Sequence, residues 1–176
     1  DGFGNIGGLL ALNDDNLAEE ARNLLILTEG FPTYGGLAGR DLDALAQGLK
    51  EITDKNYLEY RAKSISYLAD KAIQYGIPIV QPAGGHALYI DAKTFLPNIP
   101  PHEYPGHSVA CELYLLGGVR GVELGTLAFG VAQENGEPDK PATHELVRLA
   151  APRRTYTQSH FDYVGEVLEK LTEKKD

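Results

Sequence analysis

Apolar positions along the chain change period several times, and each change marks an element. Gly7 to Leu12 is a short apolar run, expected as a buried strand, and Asn13-Asp14-Asp15 supplies capping side chains for a helix from about Asn16 to Leu25. Leu42, Leu45 and Leu49 then fall at helical spacing from Asp41 to about Thr53. A longer helix is predicted to carry Leu58, Ala62, Ile65, Leu68, Ala69, Ala72 and Ile73 on one face, with Gly76 as its stop.

Beyond Gly76 the period shortens. Ile77 to Val80 and His86 to Ile90 are β-branched or aromatic runs parted by Pro82 and Gly84-Gly85, as strands are. Pro97, Pro100, Pro101 and Pro105 predict an irregular crossing. A helix from about His107 to Leu116, strands near Val119 to Phe129 and Glu145 to Ala150, and a last helix with Phe161, Val164, Leu168 and Leu171 complete the pattern. Between those strands, Glu134 to Asp139 is a polar loop, and between the first two helices Glu29 to Gly39 is too rich in glycine and proline for a regular element. The break near residue 54 divides an unfinished α/β edge, residues 1–53, from a small α+β domain with a mainly antiparallel sheet, residues 54–176.

Composition narrows the function. The 176 residues are 43% hydrophobic and 23% charged, enough for a real core. A formal charge of -9 argues against nucleic acid or an anionic membrane surface as partner. The single cysteine, Cys111, excludes an intrachain disulfide; its neighbours Val109, Ala110 and Leu113 predict burial. There is no membrane-length apolar run and no basic-then-apolar leader at the amino terminus, so a cytoplasmic protein is expected. The first residue is Asp1 and methionine is absent, so a start made by cutting, processing or a break in the record is expected.

Local chemistry is sparse. His102 and His107 lie five apart across Pro105, a poor spacing for zinc, and His86, His144 and His160 are isolated. Neither a nucleophile elbow nor a phosphate loop nor a dinucleotide fingerprint is present. Arg148, in Glu145-Leu-Val-Arg-Leu149, is a cation inside an apolar strand and demands an anionic partner. A structural carboxylate or a ligand would serve equally, because the guanidinium fork grips a carboxylate from either source.

Several longer segments act together. Asn5-Ile-Gly-Gly-Leu, the stretch from Glu29 to Asp41, Gly84-Gly-His-Ala, Cys111-Glu-Leu-Tyr, Gly118-Val-Arg-Gly-Val-Glu123 and Val147 to Gln158 resemble, in order, the pyridoxal-phosphate-dependent β-eliminating lyases, the family of tryptophan indole-lyase and tyrosine phenol-lyase. The resemblance implies the carboxy-terminal part of a fold-type I, aspartate aminotransferase-like enzyme: the end of the large domain, with a subunit-interface loop at 29–39, followed by the small domain. The lysine that forms the Schiff base with pyridoxal 5'-phosphate is expected immediately before Asp1, on a partner stretch of the same enzyme, so no catalytic lysine is assigned within the chain.

The resemblance also assigns residues. Arg148 matches the arginine that binds the substrate α-carboxylate. Asn5 matches an oxygen donor to the activating monovalent cation, usually potassium. Phe31 and Tyr34 match a loop that reaches toward the neighbouring subunit's active site, within a homotetramer. Leu124 stands where the phenol-lyases carry an arginine that meets the phenolic hydroxyl; an apolar wall suits indole instead. The implied reaction is β-elimination of L-tryptophan to indole, pyruvate and ammonium. The alternatives are phenol release from tyrosine, and a non-catalytic fragment lacking the lysine.

Overall fold

The computed structural model describes residues 4, 6–31, 33, 35–133 and 140–175. They fall into two compact units, Asp1–Leu58 and Glu59–Asp176, the division lying within a helix rather than at the turn before it.

In the first unit, helix α1 spans Asp15–Glu29. The Asp14 carboxylate starts it by accepting from the Leu17 N–H at 3.0 Å, and Gly30, at φ 105°, ends it. It buries none of its residues: Leu17, Leu24, Leu25 and Leu27 are all exposed. Helix α2, Gly39–Glu51, carries Asp41 in its first turn and Lys50 in its last, both favourable to the helix dipole. The strand expected from Gly7 to Leu12 does not form. Leu9 and Leu10 are 63% and 74% exposed, and that stretch joins no ladder among the described residues. Apolar character alone cannot make a strand without a neighbour to receive its backbone hydrogen bonds.

Helix α3, Lys55–Gln74, runs on into the second unit, where Ile65, Leu68, Ala69 and Ala72 are buried at helical spacing. It stops at Gly76, whose φ of 74° lets the Ile77 N–H turn back to the Ala72 carbonyl at 2.9 Å. Strand β1, Ala87–Asp91, leads through a short helix, α4 (Ala92–Phe95), to α5, Pro105–Gly117. Pro105 opens α5 rather than belonging to the crossing before it, because the first helical turn needs neither its missing N–H nor a free φ.

Strand β2 is only Val122–Leu124, followed by the single-turn helix α6, Thr126–Phe129. The strand expected over Val119 to Phe129 is cut short because the Glu123 carboxylate accepts from the N–H groups of Leu127 and Ala128, at 3.2 and 3.0 Å. This local acceptor rewards a turn over continued extension. Strand β3, Leu146–Ala150, and helix α7, Gln158–Thr172, complete the unit.

The sheet is antiparallel with order β1-β3-β2, so β3 is central. Leu88 and Ile90 of β1, with Val147 and Leu149 of β3, turn one face into a core shared with Val109 and Leu113 of α5 and Phe161, Val167, Leu168 and Leu171 of α7. Each such side chain contributes about 1.5–3 kcal/mol on burial. Ile77 to Val80, expected as a strand, meets β1 through one bridge, Ile79 to Ile90. Pro78 and Pro82 on either side remove backbone donors a longer ladder would use. Cys111 is exposed, not buried: Val109 and Leu113 face the core, and their neighbour turns outward. Among the described residues no helix is long and apolar enough to cross a membrane.

Candidate functional site

Strand β3 alternates, with Val147 and Leu149 inward and Leu146 and Arg148 half-buried on the other face. The register puts Arg148 opposite Tyr89 of β1 and Val122 of β2, and Leu124 opposite Leu146. Since alternate strand residues share a face, Leu124, Val122, Arg148 and Tyr89 all belong to the face away from the core. Arg148 and Leu124, singled out separately in the sequence, therefore share one surface. Tyr89 and Val122 were not foreseen as its lining; only the strand register reveals them.

Arg148 has no ion pair with a carboxylate among the described residues, and its Nε is buried without a hydrogen-bond partner. A buried donor left unmatched costs about 1–3 kcal/mol, which an acceptor brought from outside would relieve. The surroundings favour an anion. His86, just before β1, is held below the ordinary imidazole range, first by desolvation and then by the charges of Arg148 and Arg61. The His86 carbonyl accepts from the Ala151 N–H at 2.8 Å, and the Ala151 carbonyl accepts from Arg61 Nη1 at 2.7 Å. Two guanidinium groups and a neutral imidazole thus gather at one end of the β1–β3 ladder, a setting for a carboxylate and not for a cation.

On the core side of β2 and β3 lies an acidic pair. Glu145 is buried at 2% exposure. Its Oε1 accepts from the Thr126 N–H at 2.9 Å and from the Thr126 hydroxyl, while its Oε2 is buried without a partner. Glu123, two places before Gly125, is held above the usual carboxylate range, chiefly by burial and further by the Glu145 charge, against the lowering effect of its backbone hydrogen bonds.

A model of the beta-eliminating lyase family matches residues 1–167. The chain belongs to the beta-eliminating lyase family. Among curated proteins, this chain is 60% identical over 176 residues to the tryptophanase of Hyphomonas neptunium, covering 100% of this chain and 38% of that protein. With the tryptophanase of Rhodobacter capsulatus it shares 61% over 176 residues, again 100% of the chain and 38% of the relative. The tyrosine phenol-lyase of Nostoc punctiforme is 48% identical over 176 residues, with 100% and 38% coverage. The chain thus spans well under half the length of these relatives.

The remaining residues singled out in the sequence are placed less fully. Phe31 is exposed in the first unit. Asn5, matched to the monovalent cation, and Tyr34, matched to the neighbouring-subunit loop, lie outside the described residues.

Proposed function

We propose that this chain forms the substrate-carboxylate side of a pyridoxal-phosphate-dependent lyase that eliminates the side chain of L-tryptophan, giving indole, pyruvate and ammonium. The observation that carries this reading is the unmatched, buried Arg148 Nε on the same sheet face as apolar Leu124. The higher identity to tryptophanases than to the Nostoc tyrosine phenol-lyase supports the same substrate.

Arg148 binds the α-carboxylate through its fork and so fixes the orientation of the amino acid, a gain in geometry rather than in chemistry. Leu124 and Val122 line the way for the side chain with apolar surface, which leaves a phenolic hydroxyl without a charged partner. Neutral His86 and Arg61 keep the end of the ladder receptive to negative charge. Pyridoxal phosphate, when bound, supplies the electron sink, and it depends on a lysine-bearing segment that these residues must meet in the assembled enzyme. The family resemblance further supports a homotetramer in which Phe31 and Tyr34 approach a neighbour's site, with a monovalent cation such as potassium near Asn5.

The test is made in the assembled enzyme. Arg148→Ala weakens binding of L-tryptophan by about 30-fold or more, the equivalent of at least about 2 kcal/mol, while bound cofactor absorbance is kept. Unchanged tryptophan affinity would sink the assignment. Phenol release from tyrosine in preference to indole release from tryptophan would replace the substrate.

A further inference from the structure

Glu123 and Glu145 reach the same small volume beside Gly125. A Cβ added to Gly125 would overlap Glu145 Oε2 and stand 2.5 Å from Glu123 Oε1. Three of the pair's oxygens already accept hydrogen bonds: Glu145 Oε1 from Thr126, Glu123 Oε1 from Leu127, and Glu123 Oε2 from Ala128. The fourth, Glu145 Oε2, accepts none and is buried. Two ionised carboxylates, each with an oxygen within 2.5 Å of one point beside Gly125, would repel each other, the more so because Glu145 is buried. One proton held between Glu145 Oε2 and the Glu123 carboxyl supplies the missing donor and removes the repulsion together.

We propose that Glu123 and Glu145 share one proton, held between Glu145 Oε2 and the Glu123 carboxyl, and that this carboxyl pair fastens β2 to β3 so that Leu124 and Val122 stand beside Arg148. Glu145 and Glu123 are thus positioning residues. Leu124 lies between Glu123 and Gly125, and Glu145 immediately precedes the strand that carries Arg148, so whatever holds the two acids together also fixes the separation of those side chains. The proton comes from solvent as the pair forms, and it returns there when the pair ionises.

Among the described residues, the groups around the pair supply no other counter-charge to Glu145 Oε2. Helix α6 offers the Thr126 hydroxyl and three backbone N–H groups, all directed at the other oxygens. From α5, Gly106 packs on Glu123, and His107 borders the outer hollow that Glu123 shares with Arg120. In the turn Pro101–Glu103, His102 and Glu103 lie 3.9 Å from each other. Lys140 approaches the far side of the turn through its backbone carbonyl, near Gly130. Arg148 belongs to the opposite face. Among the described residues no group of three or more His, Cys, Asp or Glu side chains comes together here.

The shared proton is testable without substrate, so its failure is separable from failure of the tryptophan assignment, on which only the naming of Leu124 and Arg148 as site residues rests. The 176-residue chain, labelled with carbon-13 at the glutamate carboxyl carbons, is titrated by NMR and by infrared spectroscopy in potassium and in N-methylglucamine buffers. One buried carboxyl keeps a protonated signature at neutral pH, after the exposed glutamates have ionised, and the Leu124 methyl resonances shift with the same midpoint. Glu145→Gln abolishes both effects while preserving the Leu127 and Ala128 amide shifts, because its amide still donates to Glu123; Glu145→Ala displaces the Leu124 resonances at every pH. Two carboxyls that both titrate like free glutamate overturn the proposal, as does a midpoint that moves on exchanging potassium for N-methylglucamine. Should Glu145→Gln fail to fold, Glu123→Gln removes the same signature, and the titration of the unaltered chain decides alone.

Discussion

Glu145, immediately before β3, and Arg148, three residues further on within it, face opposite sides of the sheet, so the most buried carboxylate of the second unit is not the counter-ion of its central arginine. Arg148 is consequently free of structural duty toward Glu145. Arg148→Ala should leave the second unit folded, with a stability change within about 1 kcal/mol, because no carboxylate is orphaned by it. Thermal unfolding followed by circular dichroism checks this; a loss of several kcal/mol would show that the guanidinium holds the fold together.

His86 reports on the same site. Its folded-state proton affinity is lowered, first by desolvation and then by Arg148 and Arg61. A lowered value means that its contribution to stability is present above the unfolded-state value and is lost as pH falls through the folded one. NMR titration should place its midpoint below the usual imidazole range. Arg148→Ala should raise that midpoint only in part, since desolvation remains, and a carboxylate ligand seated on Arg148 should raise it too.

Glu123 carries the opposite sign. Burial raises its folded-state proton affinity, so its contribution to stability is full below the unfolded value, about pH 4.3, and is lost as pH rises through the folded value. Urea unfolding across acidic to neutral pH should show this decline in the unaltered chain. In Glu123→Gln the decline should be reduced.

Thr126 joins three segments: its N–H and hydroxyl donate to Glu145, and its hydroxyl accepts from the Ala142 N–H at 3.0 Å. Thr126→Val keeps the shape but leaves Glu145 one donor short and Ala142 without its acceptor, a loss of about 1–3 kcal/mol. Thr126→Ser should recover most of that loss in the same denaturant assay.

Gly117 ends α5 against α7. A Cβ there would overlap Val167 and lie 3.2 Å from Tyr163 Oη, whose hydroxyl donates to the Gly117 carbonyl at 2.9 Å. Gly117→Ala should destabilise by about 1–3 kcal/mol. Gly84→Ala, where a Cβ meets nothing within 4 Å, serves as the control and should be near neutral.

Periodicity made the helices legible, down to the stop of α3 at Gly76, because a single chain segment decides helical hydrogen bonding for itself. Strands were less legible. Gly7 to Leu12 is apolar but has no described ladder partner, and Val119 to Phe129 is apolar but is folded over by the Glu123 side chain. Arg148 was visible as a cation in an apolar run, whereas the identity of its anion was not, since that depends on which carboxylates the fold brings to the same face. Tyr89 and Val122 became neighbours of Arg148 only through register, and Glu123 met Glu145 only through the turn at Gly125.

Because β3 is paired on both sides, amide hydrogens beside Arg148 can exchange with deuterated water only when the second unit opens as a whole. Recognition of a carboxylate at this spot would then resemble a key meeting a fixed ward rather than a hand closing on it: selectivity comes from a shape already set, and any adjustment to different side chains must come from the partner surfaces that meet it.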